Sequence, residues 1–220
     1  MKIIIIEGCD NLGKSTLIAN LVKHYSQKYN VLVKHSGKPT NKDMDPLDEQ
    51  RQYFINETNN LQIYKHTVET GEKKETLVIY DRFVQGEYVW GSIYRNYSLD
   101  DIKRRCIEPV MKNLTFNIGQ SNIVSILLDA SSHFIYYNDD GNSFCSHKNI
   151  DDSIKLIDKQ REIFKNVMTD FENYYCFSNH ITYDVQNTSS MYTYGDFIFK
   201  NEDIILNDII KLINEKIHLE

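Results

Sequence analysis

Lys2-Ile3-Ile4-Ile5-Ile6-Glu7-Gly8-Cys9-Asp10-Asn11-Leu12-Gly13-Lys14-Ser15 opens the chain with a β-branched run, two spaced glycines and a Lys-Ser pair. The isoleucine run reads as a strand. After Ser15, the residues Leu17, Ile18, Leu21, Val22 and Tyr25 repeat at helical spacing, so an amphipathic helix begins near Lys14. Between the two lies the complete pattern G-x-x-x-x-G-K-S, in the strand-to-helix context its mechanism requires. The glycines let the backbone wrap a phosphate, and successive N–H groups with the helix N-terminus supply partial positive charge. Gly8, Asn11, Gly13, Lys14, Ser15 and Thr16 are therefore the expected cradle for the phosphates of ATP. Lys14 is expected to reach the β and γ oxygens, and Ser15 to hold Mg²⁺.

The same alternation continues along the chain. Val31 to Lys34, Leu77 to Tyr80, Ile123 to Leu128 and Ile181 to Val185 read as further strands, with helical patterns between them. The final helix carries Ile205, Ile209, Leu212, Ile213 and Ile217. Strand-helix alternation of this kind predicts an α/β fold of the P-loop NTPase type. It is a three-layer sandwich with a parallel sheet of about five strands, helices on both faces, and ligands at the carboxyl ends of the strands. We find no repeat or linker and expect one domain over residues 1–220. Two polar stretches resist assignment, 133–149 and 186–201; both read as loops, the first as a lid.

Composition narrows the ligand. At 220 residues the chain can bury a full core without staples, and Cys9, Cys106, Cys145 and Cys176 lack the spacing of a zinc or redox motif. They read as reduced thiols in a cytoplasmic compartment. A formal charge of −6 argues against a nucleic-acid partner, which is held mainly by Lys and Arg on phosphates, whereas a small anion needs only a few local cations. The opening apolar run is too short for a signal sequence or a membrane span. The abundance of Asn, Ile, Lys and Tyr is the bias of AT-rich coding sequence, as viral genomes can carry, and says nothing of chemistry.

Leu77-Val78-Ile79-Tyr80-Asp81-Arg82-Phe83 is an apolar strand ending in Asp-Arg-aromatic, and Arg95 follows Asp81 by fourteen residues in Trp90-Gly91-Ser92-Ile93-Tyr94-Arg95. With a P-loop that is preceded by Glu7 and contains Asp10, this resembles the thymidylate kinase family of P-loop kinases. The resemblance implies that Arg82 contacts the transferring or acceptor phosphate and that Asp81 acts near Mg²⁺ and the attacking oxygen. It also implies that Asp10 receives the sugar 3′-hydroxyl, that Arg95 serves the acceptor, and that the chain forms a homodimer. The implied reaction is transfer from ATP to a deoxynucleoside monophosphate, dTMP first among them. Physical chemistry supports such roles independently, because phosphoryl transfer is catalysed mainly by positioning and by cations aimed at one group.

The sequence also departs from that pattern. Gly86 stands where the family has serine, and Tyr88-Val89-Trp90-Gly91 replaces its Ala-Tyr-Gln cluster. The helix expected to read the base has no arginine between Phe54 and Gln62. Asn59 offers an amide to a base edge instead, and Phe54 either stacks on the ring or packs in the core. Lys38, after the second strand, takes the place of an arginine that grips the acceptor phosphate. His35 reads as packed or solvated. Arg161 stands at helical spacing on the apolar stripe of Ile157, Phe164, Met168 and Phe171 and so faces inward, as either the cation that closes over the phosphates or a structural ion pair. Adenine contacts are expected around Asp184 to Asn187. A deoxynucleoside kinase and a nucleotide-binding regulator without transfer activity remain the competing readings.

Overall fold

A computed structural model of the chain describes residues 1–69, 74–141, 143, 149–174, 179–186 and 199–219. In chain order its main elements are β1 (Lys2–Glu7), α1 (Lys14–Tyr25), β2 (Asn30–His35), α2 (Pro46–Glu69), β3 (Thr76–Asp81), α3 (Glu87–Tyr94) and α4 (Leu99–Ile102). They continue with α5 (Glu108–Ile118), β4 (Ile123–Asp129), α6 (Ser132–Tyr137), α7 (Ile150–Tyr174), β5 (His180–Asp184) and α8 (Glu202–Ile217). All five strands lie parallel, in the order β2-β3-β1-β4-β5.

The isoleucine run explains why β1 is central. Ile4 and Ile6 point into one core with Leu17, Leu21 and Ile213, whereas Ile3 and Ile5 point into the other with Phe54, Met111 and Leu114. All four are fully buried. A strand with two apolar faces suits a sheet covered by helices on both sides. The parallel register then aligns the strand ends: Ile6 pairs with Asp81, and His35 with Asp81. The carboxyl ends of β1, β2 and β3 therefore converge beside the P-loop.

Two expectations change. The stretch from His133 does not begin as a loop, because Ser131 caps α6 by accepting from the Phe134 N–H, and Phe134 and Ile135 are buried. Of the expected lid, Asn142 and residues 144–148, Lys148 included, lie outside the described residues, as do Cys145 and Cys176. In the second polar stretch, Gln186 and Phe199 form an isolated antiparallel bridge just beyond β5. Packing also accounts for Gly91, since a Cβ there would sit 2.9 Å from Ile102 Cδ1. A long side chain at position 91 cannot coexist with this contact between α3 and α4.

Candidate active site

The turn from β1 into α1 is shaped by two glycines. Gly8 has φ 140°, and a Cβ there would lie 2.6 Å from the Leu128 carbonyl oxygen. Gly13 caps α1 in the left-handed region at φ 72°. This conformation wraps residues 10–16 around a cavity of about 360 Å³. Its lining includes Asp10, Asn11, Gly13, Lys14, Ser15, Thr16, His35, Asp81 and Arg82. Ser15 and Thr16 are exposed to it, while the Lys14 side chain folds inward, donating from Nζ to the carbonyls of Gly8 (3.2 Å) and Cys9 (2.5 Å). Burial, with Arg82 nearby, pulls the Lys14 amine down to about 8. An arriving phosphate reverses that pull by giving the ammonium an anionic partner. The cradle fits an ATP triphosphate on this geometry, and Ser15 with Asp81 lines the same cavity as an oxygen donor set suited to Mg²⁺.

Arg82 takes φ 67°, in the left-handed region, and its N–H donates to the Ile6 carbonyl at 3.0 Å. The turn thus sends its side chain back over the P-loop. One guanidinium nitrogen donates to the Gly8 carbonyl at 3.2 Å, the other pairs with Asp10, and the plane lies 4.9 Å from the Trp90 ring centroid. Beneath it Glu7 is fully buried and accepts from the Phe83 N–H at 2.7 Å, tying the end of β1 to the turn after β3. Burial pushes the Glu7 carboxyl up to about 7.

A second cavity, of about 420 Å³, opens on the other side of Arg82. It is lined by the β2–α2 loop (His35 to Pro39, and Pro46) and by Phe83, Gly86, Glu87, Trp90, Tyr94 and Arg95. Asp10, His35 and Arg82 belong to both cavities. His35 Nδ1 lies 3.0 Å from Asp81 Oδ2, so the seam between the cavities carries a cation, two carboxylates and an imidazole. Lys38 and Arg95 line the second cavity, and Arg95 is paired there with Glu87. Burial outweighs that pairing and raises the Glu87 carboxyl above its ordinary range.

Three expected site residues stand differently. Phe54 is 1 % exposed and packs edge-on against Phe83 at 4.8 Å, so its core reading is the one the structure realises. Asn59 lines neither cavity; its side chain accepts from Asn113 at 2.8 Å on the α2–α5 face. The two have different causes: α2 turns Asn59 toward α5, whereas Phe54 is buried against Phe83, just beyond the end of β3. Arg161 forms a two-point pair with Asp129, at 2.7 and 3.1 Å, and donates to Ser132 at 3.1 Å. Burial would raise Asp129, but hydrogen bonds from Arg161 and Lys165 hold it below the ordinary carboxylate range. Of the two readings of Arg161, the ion pair is the one formed.

Sequence reasoning gave no site role to Glu87, His35, Trp90 and Tyr94, which line the second cavity, or to Glu7, which braces the turn beside it. For His35 the available signal was its place at a strand end opposite Asp81. The others depend on packing: Trp90 and Tyr94 stack at 5.4 Å, and Gln160 from α7 donates to the Tyr94 hydroxyl at 2.8 Å. A third cavity lies against α1 and takes in Leu12, Leu17, Leu128, Val185, Phe199 and Ile205. Among the described residues of the expected adenine region, Val185 is the one that lines it. Asn187 lies outside the described residues.

No family model matches the chain. A thymidylate kinase of Mycoplasma genitalium is 28% identical over 131 residues, which are 51% of this chain and 60% of that enzyme. The match therefore spans less than two thirds of the curated relative's length. Among solved structures, the YorR protein of Bacillus subtilis, crystallised in complex with phosphorylated GDP, aligns with TM-score 0.57 and 20% identity over 99% of both chains. A thymidylate kinase of Ehrlichia chaffeensis aligns with TM-score 0.51 and 17% identity, over 96% of this chain and 98% of that one.

Proposed function

We propose that this chain, thymidylate kinase-like in sequence and in fold, transfers the γ-phosphoryl group of ATP to the phosphate of a deoxynucleoside monophosphate. The observation that carries this reading is the seam: two cavities meet at Asp10, His35 and Arg82, with the P-loop on one side and Lys38 and Arg95 on the other. A transfer between two phosphates needs that arrangement, with a cation where donor and acceptor meet.

In the proposed reaction an acceptor phosphate oxygen attacks the γ-phosphorus in line, forming the new P–O bond as the bond to the ADP oxygen breaks. Lys14 carries charge on the β and γ oxygens, and Arg82 carries charge on the group in flight. Asp10, released from Arg82, is free to accept the sugar hydroxyl, while His35 holds the Asp81 carboxylate in place. Ser15 and Asp81 would hold Mg²⁺ brought with ATP, which would supply further charge neutralisation there. Lys38 and Arg82 draw the acceptor phosphate into the second cavity, and Arg95 contacts another part of the acceptor from the same cavity's wall. The resemblance makes dTMP the first acceptor to test and adds self-association to the reading.

The deciding experiment is coupled ADP release from ATP and Mg²⁺ with each deoxynucleoside monophosphate, the ribose analogues and free thymidine. Turnover on a monophosphate but not on the nucleoside is the expected result. Release with thymidine alone would assign a deoxynucleoside kinase, and silence in protein that binds ATP would assign a regulator.

A further inference from the structure

With Phe54 in the core and Asn59 on the α5 face, α2 presents neither residue to the acceptor cavity. The wall it has comes from α3. Trp90 and Tyr94 stack there as an aromatic surface, and Glu87 with Arg95 supplies the polar groups. Arg95 folds back along the helix to donate from one terminal nitrogen to Glu87 Oε2, and its Nε is buried without a partner. Glu87 Oε1 takes no hydrogen bond among the described residues. A nearly buried carboxylate with one free oxygen therefore stands beside a guanidinium, in a cavity wide enough for a nucleotide.

That pair presents a donor next to a strong acceptor. Leaving such groups unmade in a closed site is costly, so the ligand that fits is the one that answers both. A carboxylate only accepts, so it selects N–H groups. Thymine offers a single N–H flanked by two carbonyls; Arg95 can meet one, and the other then faces the carboxylate. Adenine and cytosine have an amino group but no ring N–H. Guanine alone places a ring N–H and an amino group side by side next to a carbonyl. The carboxylate then receives two charge-assisted bonds while Arg95 donates to the carbonyl.

We propose that Glu87 and Arg95 read the edge of the acceptor base, and that the base they select is guanine rather than thymine. This rests on the phosphotransfer reading for its context. Its test is equilibrium binding, which does not require turnover. Calorimetric titration of dGMP, dIMP, dTMP, dCMP and dAMP should give dGMP the highest affinity. dIMP, which lacks only the 2-amino group, should bind about tenfold or more weakly. Glu87→Gln keeps an acceptor for Arg95 and should collapse the dGMP-to-dIMP ratio toward one; the wild-type ratio stands as evidence even if that variant folds poorly. A higher affinity for dTMP than for dGMP, or equal affinities for dGMP and dIMP, overturns the inference. Selective dGMP binding without phosphoryl transfer would overturn the kinase reading and leave the base assignment standing.

Discussion

Arg82 reaches Asp10 across the line where the two cavities join, and the same guanidinium lies over the Trp90 ring. The cation proposed for phosphoryl transfer is thus oriented by the P-loop on one side and by the wall of the second cavity on the other. Replacing Arg82 by Ala should lower turnover by about 10³-fold, with a thermal midpoint close to that of the parent. Steady-state kinetics with a melting curve checks both halves. Unchanged turnover would remove Arg82 from the mechanism.

Lys14→Ala tests the other cation. The side chain is 7 % exposed and anchored on two carbonyls of its own loop, so its loss should weaken ADP binding and reduce turnover by at least about 10²-fold. Binding measured by calorimetry separates a lost phosphate contact from a lost fold.

Gly8→Ala probes the cradle itself. Both the φ of 140° and the 2.6 Å approach to the Leu128 carbonyl oppose a side chain there. A loss of roughly 2 kcal/mol or more in urea unfolding is expected, together with weaker nucleotide binding. A variant as stable as the parent would contradict the backbone geometry at Gly8.

Glu7 gives a pH signature. Its folded pKa of about 7 lies above the ordinary 4.5, so the native state holds the proton more tightly than the unfolded chain. Its contribution to stability is full below about 4.5, falls by about 1.4 kcal/mol for each pH unit between there and about 7, and is level beyond. Chemical denaturation between pH 4 and 8 should show this decline in the parent and a shallower one in Glu7→Gln. Parallel slopes would assign the decline to other groups.

Arg161→Ala distinguishes a structural pair from a catalytic cation. Lys165 stays 2.9 Å from Asp129, so the carboxylate keeps a partner and the expected cost is about 1–3 kcal/mol of stability. Turnover should change by less than about tenfold, far less than for Arg82. A loss as large as that of Arg82→Ala, at unchanged stability, would make Arg161 the closing cation instead.

The strands were legible in the sequence because a β-branched run such as Ile3 to Ile6 has few alternatives, and the P-loop because its glycines and Lys14 act locally. Asp81 and Arg82 were legible by position, since a parallel sheet brings its strand ends together. Phe54 and Asn59 were not, because helical spacing defines a face without saying what covers it; Phe83 packs on the first and α5 covers the second. Glu87 was hidden for a similar reason, as a carboxylate in a first helical turn reads as a solvated dipole partner until Arg95 folds over it. Arg161 was placed correctly as inward-facing, but its partner Asp129 is brought to it only by the packing of α7 on β4.

The Gly8 carbonyl accepts from both Lys14 and Arg82. Two of the cations proposed for phosphoryl transfer are therefore docked on the same backbone oxygen. Phosphate capture becomes an exchange of partners rather than the filling of a bare positive field, and its net gain is a difference between two bonded states. On the proposed function, such a site would forgo part of its affinity for ATP and for the same reason would let ADP go, because each departing phosphate would be replaced at once by an oxygen the protein keeps within reach.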